Sequence, residues 1–357
     1  MKIFFSGGGT LGSVTPLLGI RDALSHEYPD AEYLWVGTKH GPERAFLDRE
    51  SMRYIPISAG KFRRYLSFRN IADIVRVIHG FFTSLFLLRR ERPDACISAG
   101  GFVSVPLHWA AWCLKIPTWT HQQDAQPGLA NRLMAPCATV ITIALKSNLP
   151  YFSPRKTRFL GNPVRSFIFQ GDKKEGERFF HLRPGRPVVL VLGGGTGAAR
   201  VNELLVDALP LFADAYDIIH LYGKDRPPEK IFAAQKKYIC YHPYPFLQDE
   251  ISHAYAVADI VVGRAGLGTL TELAALSKPV VLIPKHGHQE ENATALKQRS
   301  AVLVLDEQET DGNTFAHHIQ ELFQETYRRE ELGRRLHECI HVPTSSEIKE
   351  IYQTLVA

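Results

Sequence analysis

Three glycine-rich segments carry the residue types that handle phosphates and sugars. Gly7-Gly8-Gly9-Thr10-Leu11-Gly12 fits the G-x-G-x-x-G spacing, and Gly193 to Ala198 fits its looser form. A third, Gly263-Arg264-Ala265-Gly266-Leu267-Gly268-Thr269-Leu270-Thr271-Glu272, follows the apolar run Ile260–Val262. Glycine after a strand lets the backbone turn sharply and approach a ligand closely, and the helix behind it offers free N–H groups and partial positive charge to an anion. A nicotinamide dinucleotide also needs an acid at the end of the second strand to hold its ribose. The run Tyr33–Val36 ends in Gly37-Thr38-Lys39 without a carboxylate, and Asp225 comes late after the corresponding run of the second half. No Asp-x-Asp pair is present to chelate a metal-bound diphosphate. Neither a metal nor a cofactor is therefore expected, and a leaving diphosphate must be neutralised by helix N-termini and cationic side chains. Glu272, one turn into a helix, suits the two hydroxyls of a ribose; the alternative is a first-turn acid favoured by the helix dipole.

Such loops need a strand in front and a helix behind. Short β-branched and aromatic runs alternate with helical patterns along the whole chain, which predicts an α/β fold with parallel sheets. The strands expected in the first half are Lys2–Ser6, Tyr33–Val36, Arg53–Ile57, Ala95–Ser98, Thr118–His121 and Val140–Ile143. Those expected in the second are Val188–Leu192, Ile218–Leu221, Tyr238–Tyr241, Ile260–Val262, Val280–Ile283 and Val302–Leu305. Gly7-Gly8-Gly9-Thr10 recurs as Gly193-Gly194-Gly195-Thr196, each time between an apolar run and a helical pattern. The chain therefore reads as two similar Rossmann-like domains, residues 1–163 and 164–341, each lending a glycine loop to a shared cleft. Residues 342–357 read as a closing helix packed back on the first domain, with Ile348, Ile351, Tyr352 and Leu355 at helical spacing.

At 357 residues, 45% hydrophobic and 22% charged, the composition is that of a globular protein and excludes disorder and fibre. The net charge of +5 sits between Lys61 and Asp94, where eight basic residues face three acidic ones; the rest of the chain is balanced. A surplus so confined predicts a local anionic partner and no nucleic acid. Phe62, Tyr65, Phe68, Phe81, Phe82 and Phe86 lie among those cations. Residues 61–92 therefore suit peripheral attachment to an anionic membrane surface, the other reading being a core helix with a basic edge. Five widely spaced cysteines without a C-x-x-C pair predict neither a disulfide framework nor a zinc site, and point to a reducing compartment. Met1–Phe5 is too short an apolar run for a signal peptide, and Val77–Leu88 falls well short of the ~20 residues of a spanning helix.

Several segments together resemble one family. Gly8 to Pro16, Gly100-Gly101-Phe102-Val103-Ser104, His121-Gln122-Gln123-Asp124-Ala125-Gln126-Pro127-Gly128, Gly161-Asn162-Pro163-Val164-Arg165, Gly263 to Glu272, and His288-Gln289-Glu290-Glu291-Asn292-Ala293 stand in the order found in the MurG family of glycosyltransferase family 28. Its members are bacterial cell-wall N-acetylglucosaminyltransferases that make lipid II from lipid I, and the similarity covers essentially the whole chain. The resemblance implies a GT-B fold, two doubly wound Rossmann-like domains facing a cleft. It also implies metal-independent, inverting transfer from UDP-N-acetylglucosamine to an undecaprenyl-diphosphate-linked muramoyl-peptide, in peptidoglycan synthesis, by a peripheral protein at the cytoplasmic face of the cell membrane.

By the same resemblance Arg165 approaches the nucleotide and Leu247 lies against the uracil edge. Leu267, Gly268, Thr269, Leu270 and Thr271 receive the diphosphate, Glu272 the ribose and Gln289 the sugar hydroxyls. Gly195 and Thr196 belong to the substrate side of the second glycine loop, and Thr10, Leu11, Gly12 and Asp124 face the donor sugar and the acceptor. The chain departs from the family at three places. Ser13 stands where a histidine is usual, His121-Gln122-Gln123-Asp124 replaces His-Glu-Gln-Asn, and Gly195-Thr196 replaces Ser-Gln. Inversion needs a base to take the acceptor proton as the hydroxyl attacks the anomeric carbon. Asp124 is the first candidate and His121 the second, while Ser13 occupies the family's histidine position but is no base unaided. Three other readings stay open: a different glycolipid glycosyltransferase, a sugar-nucleotide-binding homologue without catalysis, and an NAD(P)-dependent oxidoreductase, which the missing ribose acid disfavours.

Overall fold

The computed structural model describes residues 1–9, 11–47, 52–60, 69–193, 198–212, 215–223 and 229–357. Thr10, Gly195, Thr196 and the basic stretch 61–68 lie outside the described residues. The chain divides into two compact units, Met1–Arg165 with His341–Ala357, and Ser166–Ile340.

The N-terminal unit is built on seven parallel strands: β1 (Lys2–Ser6), β2 (Glu32–Gly37), β3 (Arg53–Pro56), β4 (Ala95–Ser98), β5 (Thr118–Gln122), β6 (Val140–Ile143) and β7 (Thr157–Phe159), in the order β3-β2-β1-β4-β5-β6-β7. The C-terminal unit has six: β8 (Val188–Leu192), β9 (Asp217–Leu221), β10 (Tyr241–Tyr244), β11 (Ile260–Gly263), β12 (Val280–Leu282) and β13 (Leu303–Val304), in the order β10-β9-β8-β11-β12-β13. Counted within each unit this is the doubly wound order 3-2-1-4-5-6. Parallel strands covered by helices on both faces are buried throughout, so they read as unbroken apolar runs; Val188-Val189-Leu190-Val191-Leu192 is wholly buried.

Two strands depart from the sequence reading. β10 begins at Tyr241 rather than Tyr238, because residues 238–240 close the helix Glu229–Lys237 and Ile239 is 81% exposed. Pro243 is tolerated within β10 because that strand lies at the sheet edge and pairs with β9 alone. β7 was not expected: only Thr157 of its three residues is buried, so this edge strand carries no apolar signature.

Residues 345–356 form a helix opened by a capping box, in which Thr344 accepts from the Glu347 N–H and Glu347 accepts from the Thr344 N–H. The helix packs on Thr15–Glu27, with the Tyr28 and Tyr352 rings 5.7 Å apart and Lys349 paired with Glu27.

Among the described residues three histidines are fully buried: His108 and His121 in the first unit, His220 in the second. Both His121 ring nitrogens are engaged. Nδ1 is 2.9 Å from the Thr142 hydroxyl, which accepts from the Trp119 indole N–H at 2.6 Å, and Nε2 is 2.9 Å from Asn162 Oδ1. His220 is held likewise, Nδ1 2.6 Å from the Tyr241 hydroxyl and Nε2 3.0 Å from Asn202 Oδ1. His121 is therefore corrected as a candidate base: it is fully buried, its nitrogens are spent, and it braces the end of β5. Burial disfavours the charged imidazole, lowering His121 to about 4 and His108 and His220 to about 3. A neutral buried histidine contributes stability fully present above the unfolded value near 6.5, and that stability is lost as the pH falls toward the folded value. Two such groups in the N-terminal unit give a slope of up to about 3 kcal/mol per pH unit. All four tryptophans lie in that unit, so their fluorescence reports its unfolding alone. Urea melts followed by tryptophan emission should shift steeply to lower urea between pH 6.5 and 5; a midpoint that stays put over this range would contradict the neutral buried imidazoles.

Candidate active site

In a doubly wound sheet the connections after the first and fourth strands leave in opposite directions, opening a crevice at the carboxyl ends. In the N-terminal unit these ends belong to β1 and β4, followed by Gly7–Gly12 and Gly100–Gly101. In the C-terminal unit they belong to β8 and β11, followed by Gly193 and by Gly263–Glu272. Of the described residues read as site residues, Leu11, Gly12 and Ser13 follow β1, His121 and Asp124 lie at and just after the end of β5, and Leu267–Glu272 follow β11, whereas Arg165, Leu247 and Gln289 come after β7, β10 and β12.

The loop after β5 is organised by amide side chains. Gln122, 2% exposed, donates from Nε2 to the Asp124 and Gln126 carbonyls at 2.8 and 3.2 Å and accepts from Asn131 Nδ2 at 2.5 Å. Asn148 donates to the same Asp124 carbonyl at 3.0 Å, and Gln123 donates to the Gly12 carbonyl at 2.7 Å. An amide at position 122 can donate to two carbonyls and an ionised carboxylate cannot, so the replacement of the family's glutamate by Gln122 suits this loop. Asp124 is partly exposed on the loop so held, and Gly12 is exposed across the Gln123 bond. Ser13, by contrast, is 6% exposed beneath the short turn Leu11–Ser13, its hydroxyl directed toward Gly7. That burial, as well as its chemistry, removes Ser13 as a base. Arg165 is buried at the last position of the N-terminal unit.

In the C-terminal unit the helix Leu267–Ala275 starts on Gly266, which has no side chain with which to cap it. The first-turn N–H groups of a helix have no partner within it, and they concentrate positive potential where a diphosphate would sit. Leu267 and Leu270 turn their side chains into the core, and the Thr271 hydroxyl donates to the Leu267 carbonyl at 2.7 Å. Leu267, Gly268, Thr269, Leu270 and Thr271 therefore offer a ligand chiefly their backbone. Glu272 is 4% exposed, and the buried Tyr255 donates its hydroxyl to Glu272 Oε2 at 3.0 Å. Arg264, next to this turn, is committed elsewhere: it donates to the Ile283 carbonyl at 2.7 Å and pairs with Glu307.

Gln289 stands in the first turn of the helix His288–Lys297, its Oε1 accepting from the Lys285 N–H at 3.4 Å. Asn292, buried one turn on, donates to the Ala265 carbonyl at 3.1 Å and ties this helix to the turn before Glu272. Leu247 is buried in the segment after β10. Among the described residues, no group of three or more His, Cys, Asp or Glu is placed to hold a metal ion.

Sequence reasoning missed Tyr255, Asn131, Asn148 and Glu43, a buried acid beside the first glycine loop. Tyr255 has no local signal, because its partner lies seventeen positions away in a different element. Glu43 had one: an acid at the second position of the helix Pro42–Leu47, just beyond β2.

Comparisons with known proteins match these two units in turn. The model for the glycosyltransferase family 28 N-terminal domain matches residues 3–143, and that for the family 28 C-terminal domain matches residues 188–347. A UDP-N-acetylglucosamine–N-acetylmuramyl-(pentapeptide) pyrophosphoryl-undecaprenol N-acetylglucosamine transferase from Shouchella clausii is 34% identical over 333 residues, covering 91% of this chain and 92% of the relative. Its counterpart from Clostridium novyi is 33% identical over 330 residues, covering 91% of each. Among solved structures, MurG from Acinetobacter baumannii superposes with a TM-score of 0.72 at 21% identity, covering 99% of this chain and 98% of that one. A UDP-GlcNAc 2-epimerase from Neisseria meningitidis, bound to UDP-GlcNAc, gives 0.70 at 14% identity and full coverage of both chains. At such identities these structures speak to the fold, a GT-B arrangement of two parallel-sheet domains.

Proposed function

The chain belongs to glycosyltransferase family 28, and from that premise we propose that it transfers N-acetylglucosamine from UDP-N-acetylglucosamine to a muramoyl-peptide carried on undecaprenyl diphosphate. The observation that carries this reading is the turn Gly266–Glu272, where an uncapped helix start meets a buried carboxylate oriented by Tyr255. Glu272 takes the ribose hydroxyls, the first-turn N–H groups and Arg165 take the diphosphate charge, Leu247 the uracil edge, and Gln289 the sugar hydroxyls.

In the reaction the acceptor hydroxyl gives its proton to Asp124 as its oxygen attacks the anomeric carbon. The bond from that carbon to the diphosphate breaks on the opposite face, UDP leaves, and the configuration inverts. Asp124 suits the role because its backbone is fixed by Gln122 and Asn148 while its side chain stays partly exposed. Incubation with labelled UDP-N-acetylglucosamine and lipid I should yield a product heavier by one N-acetylglucosamine residue; absence of that product with active wild-type protein would overturn the assignment. Asp124→Asn should lower kcat by ~10²–10⁴-fold with UDP affinity unchanged. Tyr255→Phe should do the reverse, weakening UDP binding in calorimetry by roughly tenfold with kcat preserved. Near-normal turnover in the first variant, or normal UDP affinity in the second, would remove that residue from the scheme.

The acceptor is anchored in a bilayer, and one helix of the N-terminal unit is suited to meet it. Arg69–Glu91 buries Ser84, Leu87 and Leu88, yet Ile74, Val75, Ile78, Phe82 and Phe86 are exposed, Phe86 by 70%. Five large apolar side chains on the outer face of a helix mark an interaction surface. Exposed Arg76, Arg89 and Arg90 border them. Among the described residues no helix is long and apolar enough to cross a membrane. We read this face, together with the basic residues of 61–68, as a peripheral anchor to the anionic cytoplasmic leaflet. Wild-type protein should float with phosphatidylglycerol vesicles and much less with phosphatidylcholine, and Phe82→Ser with Phe86→Ser should reduce the floated fraction about tenfold. Equal flotation of the double variant would rule the face out.

A further inference from the structure

The first glycine loop contains its own anion. Glu43 is wholly buried, and its carboxylate accepts from the Gly9 N–H at 3.1 Å and the Thr38 N–H at 2.8 Å, and also from the Thr38 hydroxyl. The Tyr54 hydroxyl, which donates to the Thr38 carbonyl at 2.5 Å, lies 3.3 Å from the same carboxylate. The surrounding glycines leave room for it: a side chain at Gly8 or Gly41 would run into the carboxylate. From the other side Gly101, at φ +88°, presses on the loop so closely that a Cβ there would lie 2.8 Å from the Gly8 carbonyl oxygen and 2.9 Å from its nitrogen. Residues 7–9 are thus clamped between a buried carboxylate and the backbone after β4.

A glycine loop behind a strand ordinarily turns its N–H groups to a ligand phosphate. Here a protein carboxylate already holds the Gly9 N–H, and its negative charge repels a second anion at short range. We propose that Glu43 is a positioning residue, an internal surrogate for phosphate that locks Gly7–Gly9 in shape and reserves this turn for the uncharged, hydroxyl-bearing part of the acceptor. This rests on reading the N-terminal unit as the acceptor side. Among the described residues, the turn Gly266–Glu272 has no acid in the first turn of its helix: the carboxylate of Glu272 lies one turn further on, at the place read for a ribose, so this turn suits an anionic ligand and the Gly7–Gly9 turn a neutral one.

The test is Glu43→Gln, which keeps the shape but sets an amide N–H against one of the two backbone N–H donors. It should raise the acceptor KM roughly tenfold while the UDP Kd and stoichiometry stay at wild-type values, and hydrogen exchange in the peptide spanning residues 5–14 should quicken at least tenfold. Tyr54→Phe, which removes only the outer brace, should move both readouts the same way by a smaller factor. Loss of folded protein without a KM change per UDP-binding site, or wild-type exchange in 5–14, would overturn the proposal. If the wild type transfers no sugar at all, the exchange measurement still decides the role of Glu43, and the reading of the acceptor side fails separately.

Discussion

The reversal of strand order at β1 and again at β8 is the constraint on which the rest of the molecule depends. A right-handed crossover can leave a parallel strand toward either face of the sheet, and where consecutive crossovers diverge no helix covers the strand ends. Each unit has one such place, bordered in the first by the glycine turn after β1 and in the second by the turn Gly263–Glu272 after β11. Glycines there leave the backbone N–H groups little screened by side chains, and electrostatics sets which groups suit them. In the N-terminal turn the Gly9 N–H is satisfied from within by Glu43. The C-terminal turn begins a helix on Gly266, which brings no side chain to cap it. One topology is thus used twice with different charge beside its turns.

The polar residues that support these turns are buried, and their hydrogen bonds set the geometry of the exposed ones. Asp124 and Gly12 owe their positions to Gln122, Gln123 and Asn148, and Glu272 owes its orientation to Tyr255. Amides prevail around Asp124 because its loop offers carbonyls, which need donors. A lone carboxylate among those carbonyls would be repelled, which gives a physical sense to glutamine at position 122.

Much of this was legible in the chain because parallel strands buried on both faces read as apolar runs, as β1, β8 and β11 do. β7 and β10 did not, since edge strands are free to carry arginine, proline and exposed residues. The turn ending in Glu272 was visible as a glycine-rich segment behind a strand. Glu43 was missed because an acid was sought directly after β2, whereas Gly41 and Pro42 carry the chain round to deliver it from the next helix. His121 was misjudged because a histidine at a strand end reads alike whether it faces a ligand or, as here, Thr142 and Asn162. The confined net charge of +5 and its interleaved aromatics were legible as a patch, and the structure adds that Ile74, Val75, Ile78, Phe82 and Phe86 of Arg69–Glu91 are exposed.

The central claim is the division of labour between the two glycine turns: the one after β11 holds the nucleotide diphosphate and the one after β1 does not. Hydrogen exchange with mass analysis, with and without saturating UDP, tests this directly, because it reads backbone N–H groups in each turn at once. The account predicts slowed exchange in the peptides spanning 263–272 and 286–292 and unchanged exchange in the peptide spanning 5–14. Protection of 5–14 by UDP, with 263–272 unaffected, would contradict it.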